Sequence, residues 1–177
     1  MFDLFKKRVT AEKYGHQMWL FCCDSAENFY VSLKPKFQAE KYLKDPTADK
    51  MFINETIIFH YWMVSWVLNK DTVILDVLNN YFWSAPVGLD IQLTQTQPIE
   101  TITKRFTRYS EAFSQDLEAS SRGLSSARLP RIVLQCLVNE KSDTDMPFGF
   151  EMFVIVQSRI FDTMKTVRKL RDDVKIQ

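Results

Sequence analysis

Two carboxylates sit where carboxylates are costly. Glu55 interrupts the apolar run Met51–Leu68 (MFINETIIFHYWMVSWVL), and Glu151 interrupts Phe150–Val156 (FEMFVIV). An acid in apolar surroundings must be paired, hydrogen-bonded or protonated, and acids perturbed in this way are over-represented at functional sites. His60 lies further along the same run as Glu55. Glu55, His60 and Glu151 are therefore the candidate ligand-binding or acid/base residues. If Glu55 and Glu151 converged, general acid/base chemistry would be conceivable, although no nucleophile accompanies them. The partners expected for these two acids, if buried, are His60, Tyr61, Arg159 or a Trp N–H. The competing expectation is a structural polar contact, or a side chain that points to water.

Metal chemistry has little to build on. On a regular helix Glu55 and His60 are about 140° apart and cannot share one ion. A di-metal carboxylate bundle needs Glu-x-x-His pairs, but Ile57 precedes His60 by three residues and Lys13 precedes His16 by three. His16, Cys23 and Glu27 share one face of a first helix and are the weak metal candidates. They would need a further soft ligand such as Cys136, and a solvated face is the expectation. His60 in an aromatic-lined bundle is the candidate axial ligand for a haem. Aromatic stripes at helical spacing are ordinary core, so no cofactor and no metal are assigned. Phosphate-binding glycine loops, H-E-x-x-H, C-x-x-C and nucleophile-elbow motifs are absent from the sequence.

Charge is balanced overall, at a formal net +1, but unevenly placed. Residues 71–100 carry Asp71, Asp76, Asp90 and Glu100 with no Lys or Arg, whereas the last stretch carries Arg159, Lys165, Arg168, Lys169 and Arg171. Those five are the weak partner-binding candidates, set against a plain solvated helix face. Lys104, Arg105 and Arg108 are too few, at this net charge, for nucleic-acid binding.

The elements that must position these residues are helices. The chain has 177 residues with four Gly and six Pro, too little turn punctuation for a β fold. The run after Pro46 reads as a helix to Asn69. Its polar residues Asn54, Glu55, Thr56, His60 and Ser65 scatter around the axis, so it belongs in the middle of a bundle. Thr10 is the N-cap of a first helix with the stripe Tyr14, Met18, Phe21, Cys22, Ser25, Phe29 and Leu33, closed by Pro35. Asp45-Pro46 opens the central helix. After a break at Asn69–Thr72 comes a helix over Val73–Trp83, then a loop over Ser84–Gln97. Pro98 starts the next helix, with Ile99, Ile102, Phe106, Tyr109, Phe113 and Leu117 as its stripe, broken at Gly123. Ile132–Val138 and Phe150–Val156 are rich in β-formers, so a β-hairpin over 132–156 is the alternative there. The helical period Phe153, Val156, Ile160, Met164 and Val167 favours two helices.

The fold class that follows is all-α: one domain over 1–177, a bundle of five or six helices around the apolar helix 46–69. Residues 1–9 form a peripheral amphipathic arm or pack on the bundle through Phe2 and Phe5. Three cysteines, Cys22, Cys23 and Cys136, make no disulfide framework. With no signal-peptide pattern at the start, a soluble cytoplasmic protein is expected. The function expected is a non-catalytic protein-interaction or assembly module. Its partner is a protein, self or other, with no nucleic acid and membrane contact at most peripheral through 1–9. The alternative is a bundle that binds a small apolar ligand, or an acid/base enzyme, using Glu55, His60 and Glu151.

Overall fold

A computed structural model of the chain describes residues 7–39, 42–43, 46–84, 96–138 and 149–176. In order these form β1 (Lys7–Val9), α1 (Ala11–Ala39), α2 (Pro46–Val67), α3 (Thr72–Ser84), α4 (Thr96–Ser121), α5 (Arg128–Leu137), α6 (Phe150–Asp172) and β2 (Val174–Ile176). The fold is all-α, with one minor two-stranded sheet among the described residues. No helix among them is long and apolar enough to cross a membrane.

α2 occupies the centre that its sequence demands. Every residue from Glu55 to Val64 is buried, nearly three full turns with no wet side. α1, α4, α5 and α6 all pack against it. Trp62 alone meets the rings of Phe59, Trp66, Tyr109 and Phe113. Its indole N–H donates to the Ser110 hydroxyl at 3.0 Å, so the polar edge of a buried ring is satisfied. α3 joins the bundle through α1 and by stacking Phe82 on Tyr61, with ring centroids 3.9 Å apart. Gly15 on α1 permits this approach: a Cβ there would lie 2.5 Å from Val77 Cγ1 on α3.

Capping explains several boundaries. The Thr10 hydroxyl accepts the Lys13 N–H at 3.3 Å and starts α1. α4 ends in a Schellman arrangement: Gly123 takes a positive φ of 72°, its N–H donates to Ser120 O, and the Leu124 N–H donates to Ala119 O. α5 then begins with a cap supplied from another helix. The Asp116 carboxylate of α4 accepts the N–H groups of Arg128 and Leu129 at 3.0 and 2.9 Å and also takes the Ser126 hydroxyl.

The structure departs from the sequence reading in three places. Pro35 does not close α1, which runs on to Ala39. Pro35 and Val31 both lie on the exposed side, so the carbonyl that the proline leaves unbonded faces solvent. Phe37 beyond it is fully buried, with its ring stacked 4.7 Å from that of Phe52, which holds the extra turn in place. Residues 7–9 are not a free arm. They form β1, which pairs in parallel with β2 in the register Lys7↔Val174, Arg8↔Lys175 and Val9↔Ile176, with Val9 buried. The hairpin alternative over 132–156 gives way to α5 and the start of α6, because Asp116 caps α5 and its buried side chains continue the core. Smaller shifts occur at α2, which ends at Val67, and α4, which starts at Thr96 with Pro98 inside the first turn, where a proline is tolerated. Asp45, Phe2, Phe5, Asp90 and most of the Ser84–Gln97 loop lie outside the described residues.

Candidate functional site

Glu55 sits on the face of α2 turned to α4, 8% exposed. Its carboxylate accepts the Tyr109 hydroxyl, and Arg105 Nε lies 3.4 Å from its other oxygen. That arginine contact is an ion pair without hydrogen-bond geometry, since Arg105 Nε finds no hydrogen-bond partner among the described residues. Burial pushes the Glu55 carboxyl above the usual range, while Arg105, Tyr109 and Arg108 pull the other way. Burial likewise raises the Tyr109 hydroxyl, with Cys136 and Glu55 adding to it. The Cys136 thiol is pushed up to about 11, chiefly by burial and then by Glu55. So Cys136 is a neutral thiol at physiological pH, not a nucleophile. The group is a buried polar cross-link between α2, α4 and α5.

Arg108 carries this network to the surface. Its guanidinium donates to Gln135 Oε1 at 3.4 Å and lies 3.8 Å from Cys136 Sγ. It also lines a cleft of about 710 Å³ between α4 and α5, shared with Glu111, Gln115, Arg128, Arg131 and Phe153. Arg128 donates there to the neutral Gln115 Oε1 at 2.6 Å. A second groove of about 220 Å³ opens on the other side of Ser125 and Ser126, which border both. Its walls include Leu117, Leu124, Gln157 and Phe161. Leu124 is 61% exposed and Phe161 60%. Along α6, Phe150, Val154, Gln157 and Phe161 fall within about 60° of one another, and Phe150 is 83% exposed. Exposed Phe150 and Val154 thus share a side of α6 with Phe161 in the groove, with the polar Gln157 between them.

The three sequence-predicted ligand residues occupy separate environments. His60 is fully buried on α2, against Phe29 and Phe59. Its Nδ1–H donates to Thr56 O at 2.7 Å, and Nε2 has no hydrogen-bond partner among the described residues. Burial pulls its pKa down to about 3, so the ring is neutral. Glu151 lies on the exposed side of α6 and forms an ion pair with Lys36 of α1. Glu55 and Glu151 do not meet, because the stripe that buries α6 is Met152, Val156 and Ile160.

Of the weak metal candidates, His16 stacks on Tyr81 at 4.9 Å and Glu27 is exposed. Cys23 is half-buried, its thiol pushed up to about 11 by burial and then by Asp24. No group of three or more His, Cys, Asp or Glu among the described residues is placed to hold a metal ion. Among the basic candidates, Arg171 is committed within the chain: Nε and Nη2 each meet an Asp71 oxygen at 2.7 Å. Arg159 lies over the Phe29 ring at 5.7 Å. Lys165, Arg168 and Lys169 remain exposed.

Arg105, Tyr109 and Arg108, the residues that do meet Glu55, went unassigned from the sequence. A signal was present. Arg105 falls about 40° beyond the edge of the apolar arc of Ile102, Phe106, Tyr109 and Phe113 on α4, so a charge there borders the buried face and gains from an opposite charge within it. Comparison with known protein families, curated proteins and solved structures found no match for this chain.

Proposed function

We propose that the protein is a non-catalytic interaction module of a reducing, cytoplasmic compartment, and that it docks a protein partner on the face formed by α6 and the α4–α5 turn. One observation carries this reading: exposed Leu117, Leu124 and Phe161 line one groove, with exposed Val154 and Phe150 further along the same side of α6. Single exposed apolar residues are common on any surface, but several gathered at one groove mark a binding face. Three unpaired thiols suit the compartment. The buried network that links α2, α4 and α5 supports a scaffold role, because ion-paired and hydrogen-bonded groups of this kind can fix how helices pack. An acid/base site built jointly on Glu55, His60 and Glu151 finds no geometric support, since the three side chains face different neighbours.

The test is site-specific photocrosslinking in cells. A benzophenone amino acid in place of Phe161 gives a discrete heavier adduct with a protein, and the same probe at Val31, exposed on α1, does not. Equal labelling at both positions, or labelling at neither, refutes the docking face.

A further inference from the structure

The two terminal strands bring like charges together. In the parallel ladder Arg8 stands beside its register partner Lys175, both exposed, while Val9 is buried. Neighbouring strands lie about 4.8 Å apart, and like charges on register partners destabilise a pair of strands. An anion laid across Arg8 and Lys175 would remove that repulsion.

More cations collect at the same end of the bundle. The Lys7 N–H donates to Asp173 O at 3.2 Å and ties the ladder to the end of α6. On α6, Lys165, Arg168 and Lys169 are exposed and fall within about 100° of one another. They lie within about 10 Å of Asp172 along the helix axis. Among the described residues, none of Lys7, Arg8, Lys165, Arg168, Lys169 and Lys175 is held in an ion pair. The nearby acids count against them. Asp162, Asp172 and Asp173 are exposed, Glu12 offsets Lys13, and Arg171 is paired with Asp71. Six cations against three acids leave this end at +3, although the whole chain is only +1. The charge of the molecule is therefore polarised towards the ladder and the last turns of α6.

The sequence beside this surface selects among polyanions. Immediately before Lys7 the chain reads Met-Phe-Asp-Leu-Phe-Lys, in which Lys6 offsets Asp3 and Phe2, Leu4 and Phe5 are apolar. Apolar side chains next to basic ones suit a lipid interface, where the first enter the headgroup boundary and the second meet anionic lipids. The backbone of a nucleic-acid duplex offers apolar side chains no such gain.

We infer that the protein docks peripherally on an anionic membrane surface, through the Arg8–Lys175 ladder and the exposed cations of the last turns of α6. The inference does not rest on the docking face above and uses other residues. Each Lys or Arg brought to an anionic leaflet raises the affinity about fivefold, so several must act together.

The experiment is cosedimentation of the full chain with large unilamellar vesicles. One set is phosphatidylcholine alone, and the other is phosphatidylcholine and phosphatidylserine in about a 2:1 ratio, to supply the anionic surface. The expected result is sedimentation with the anionic vesicles only, lost as salt rises. Arg8→Gln/Lys175→Gln lowers the affinity about tenfold or more, and Lys165→Gln/Arg168→Gln/Lys169→Gln lowers it at least as much. Because the ladder variant removes a repulsion, it melts at or above the wild-type temperature, which separates lost binding from lost fold. Lys104→Gln/Arg122→Gln takes the same charge as the ladder variant from exposed positions on α4 and leaves the affinity unchanged.

If the wild type ignores the anionic vesicles, or binds the neutral ones equally, the inference is overturned. A ladder or α6 variant that binds as well as the wild type overturns it too. So does an α4 variant that loses as much as the ladder variant, since charge would then act without a defined surface. If the chain binds a DNA duplex through the same cations but no vesicles, the occupant is a nucleic acid and the membrane reading falls.

Discussion

His60 provides the sharpest check on the packing around α2. The ring is fully buried among Phe29 and Phe59 and donates only from Nδ1. Its Nε2 lone pair has no hydrogen-bond partner among the described residues. A proton on Nε2 would place a charge in an apolar pocket, within Coulombic reach of Arg159, and the pKa falls to about 3, mainly through burial. In the unfolded chain the same ring titrates near its ordinary value of 6.5. Between these two values the unfolded state carries a proton that the folded state refuses. Stability is therefore fully present above about pH 6.5 and declines as the pH falls, by about 1.4 kcal/mol per pH unit. From pH 6.5 to 5 the loss is roughly 2 kcal/mol.

Replacing His60 with Leu removes both the titration and the unmet acceptor. A buried unsatisfied polar group costs about 1–3 kcal/mol, so His60→Leu is expected to equal or exceed the wild type in stability at pH 7.5. Its curve should then stay flat where the wild type falls. Urea unfolding followed by far-UV circular dichroism, at half-unit steps from pH 8 to 5, measures this directly. Parallel wild-type and His60→Leu curves would refute the burial of His60 and the packing of α1 against α2 that it implies.

Other perturbations test the remaining contacts. Glu55→Leu strands the Arg105 charge in a site where its side chain is 14% exposed, and should cost about 3–5 kcal/mol. Glu55→Leu/Arg105→Met should recover most of that loss in urea unfolding; a double variant as unstable as the single one would mean that the two groups do not form a pair. Gly15→Ala drives a methyl to 2.5 Å from Val77 Cγ1 and should destabilise by about 1–3 kcal/mol, even though Ala is the better helix former by about 1 kcal/mol. Adding Val77→Ala should relieve much of the strain. A stabilising Gly15→Ala, measured by thermal melting, would refute the close approach of α1 and α3.

How much of this was legible in the sequence follows from the range of the forces involved. α2 declared itself because its composition is a local property: polar residues scattered around the axis can only mean burial on all sides, and Glu55–Val64 are buried without a break. The Thr10 cap and the Gly123 stop were likewise readable, since each acts within a few residues. What failed was long-range. The sequence held no sign that Phe37 would find Phe52 and pull α1 past Pro35. Nor could it show that Asp116 would cap a helix starting twelve residues later, at Arg128. Glu55 stands out in the sequence as an acid that, if buried, must be paired, hydrogen-bonded or protonated. Its partners lie on α4, and only the tertiary fold brings Arg105 and Tyr109 to it. The Asp71–Arg171 pair shows the same limit, since both charged stretches were visible but not that they meet.

The pairing of β1 with β2 has a consequence in time as well as in space. Lys7 and Val174 are register partners 167 positions apart, so β1 is made before, and β2 after, the helices described between them. Contacts between residues so distant in sequence carry a large loop-closure penalty until the intervening helices have assembled. β1 therefore waits without its partner strand until the helices described between the two strands have been made. It docks only once residues 174–176 have followed, which makes this small sheet a closing latch on the bundle.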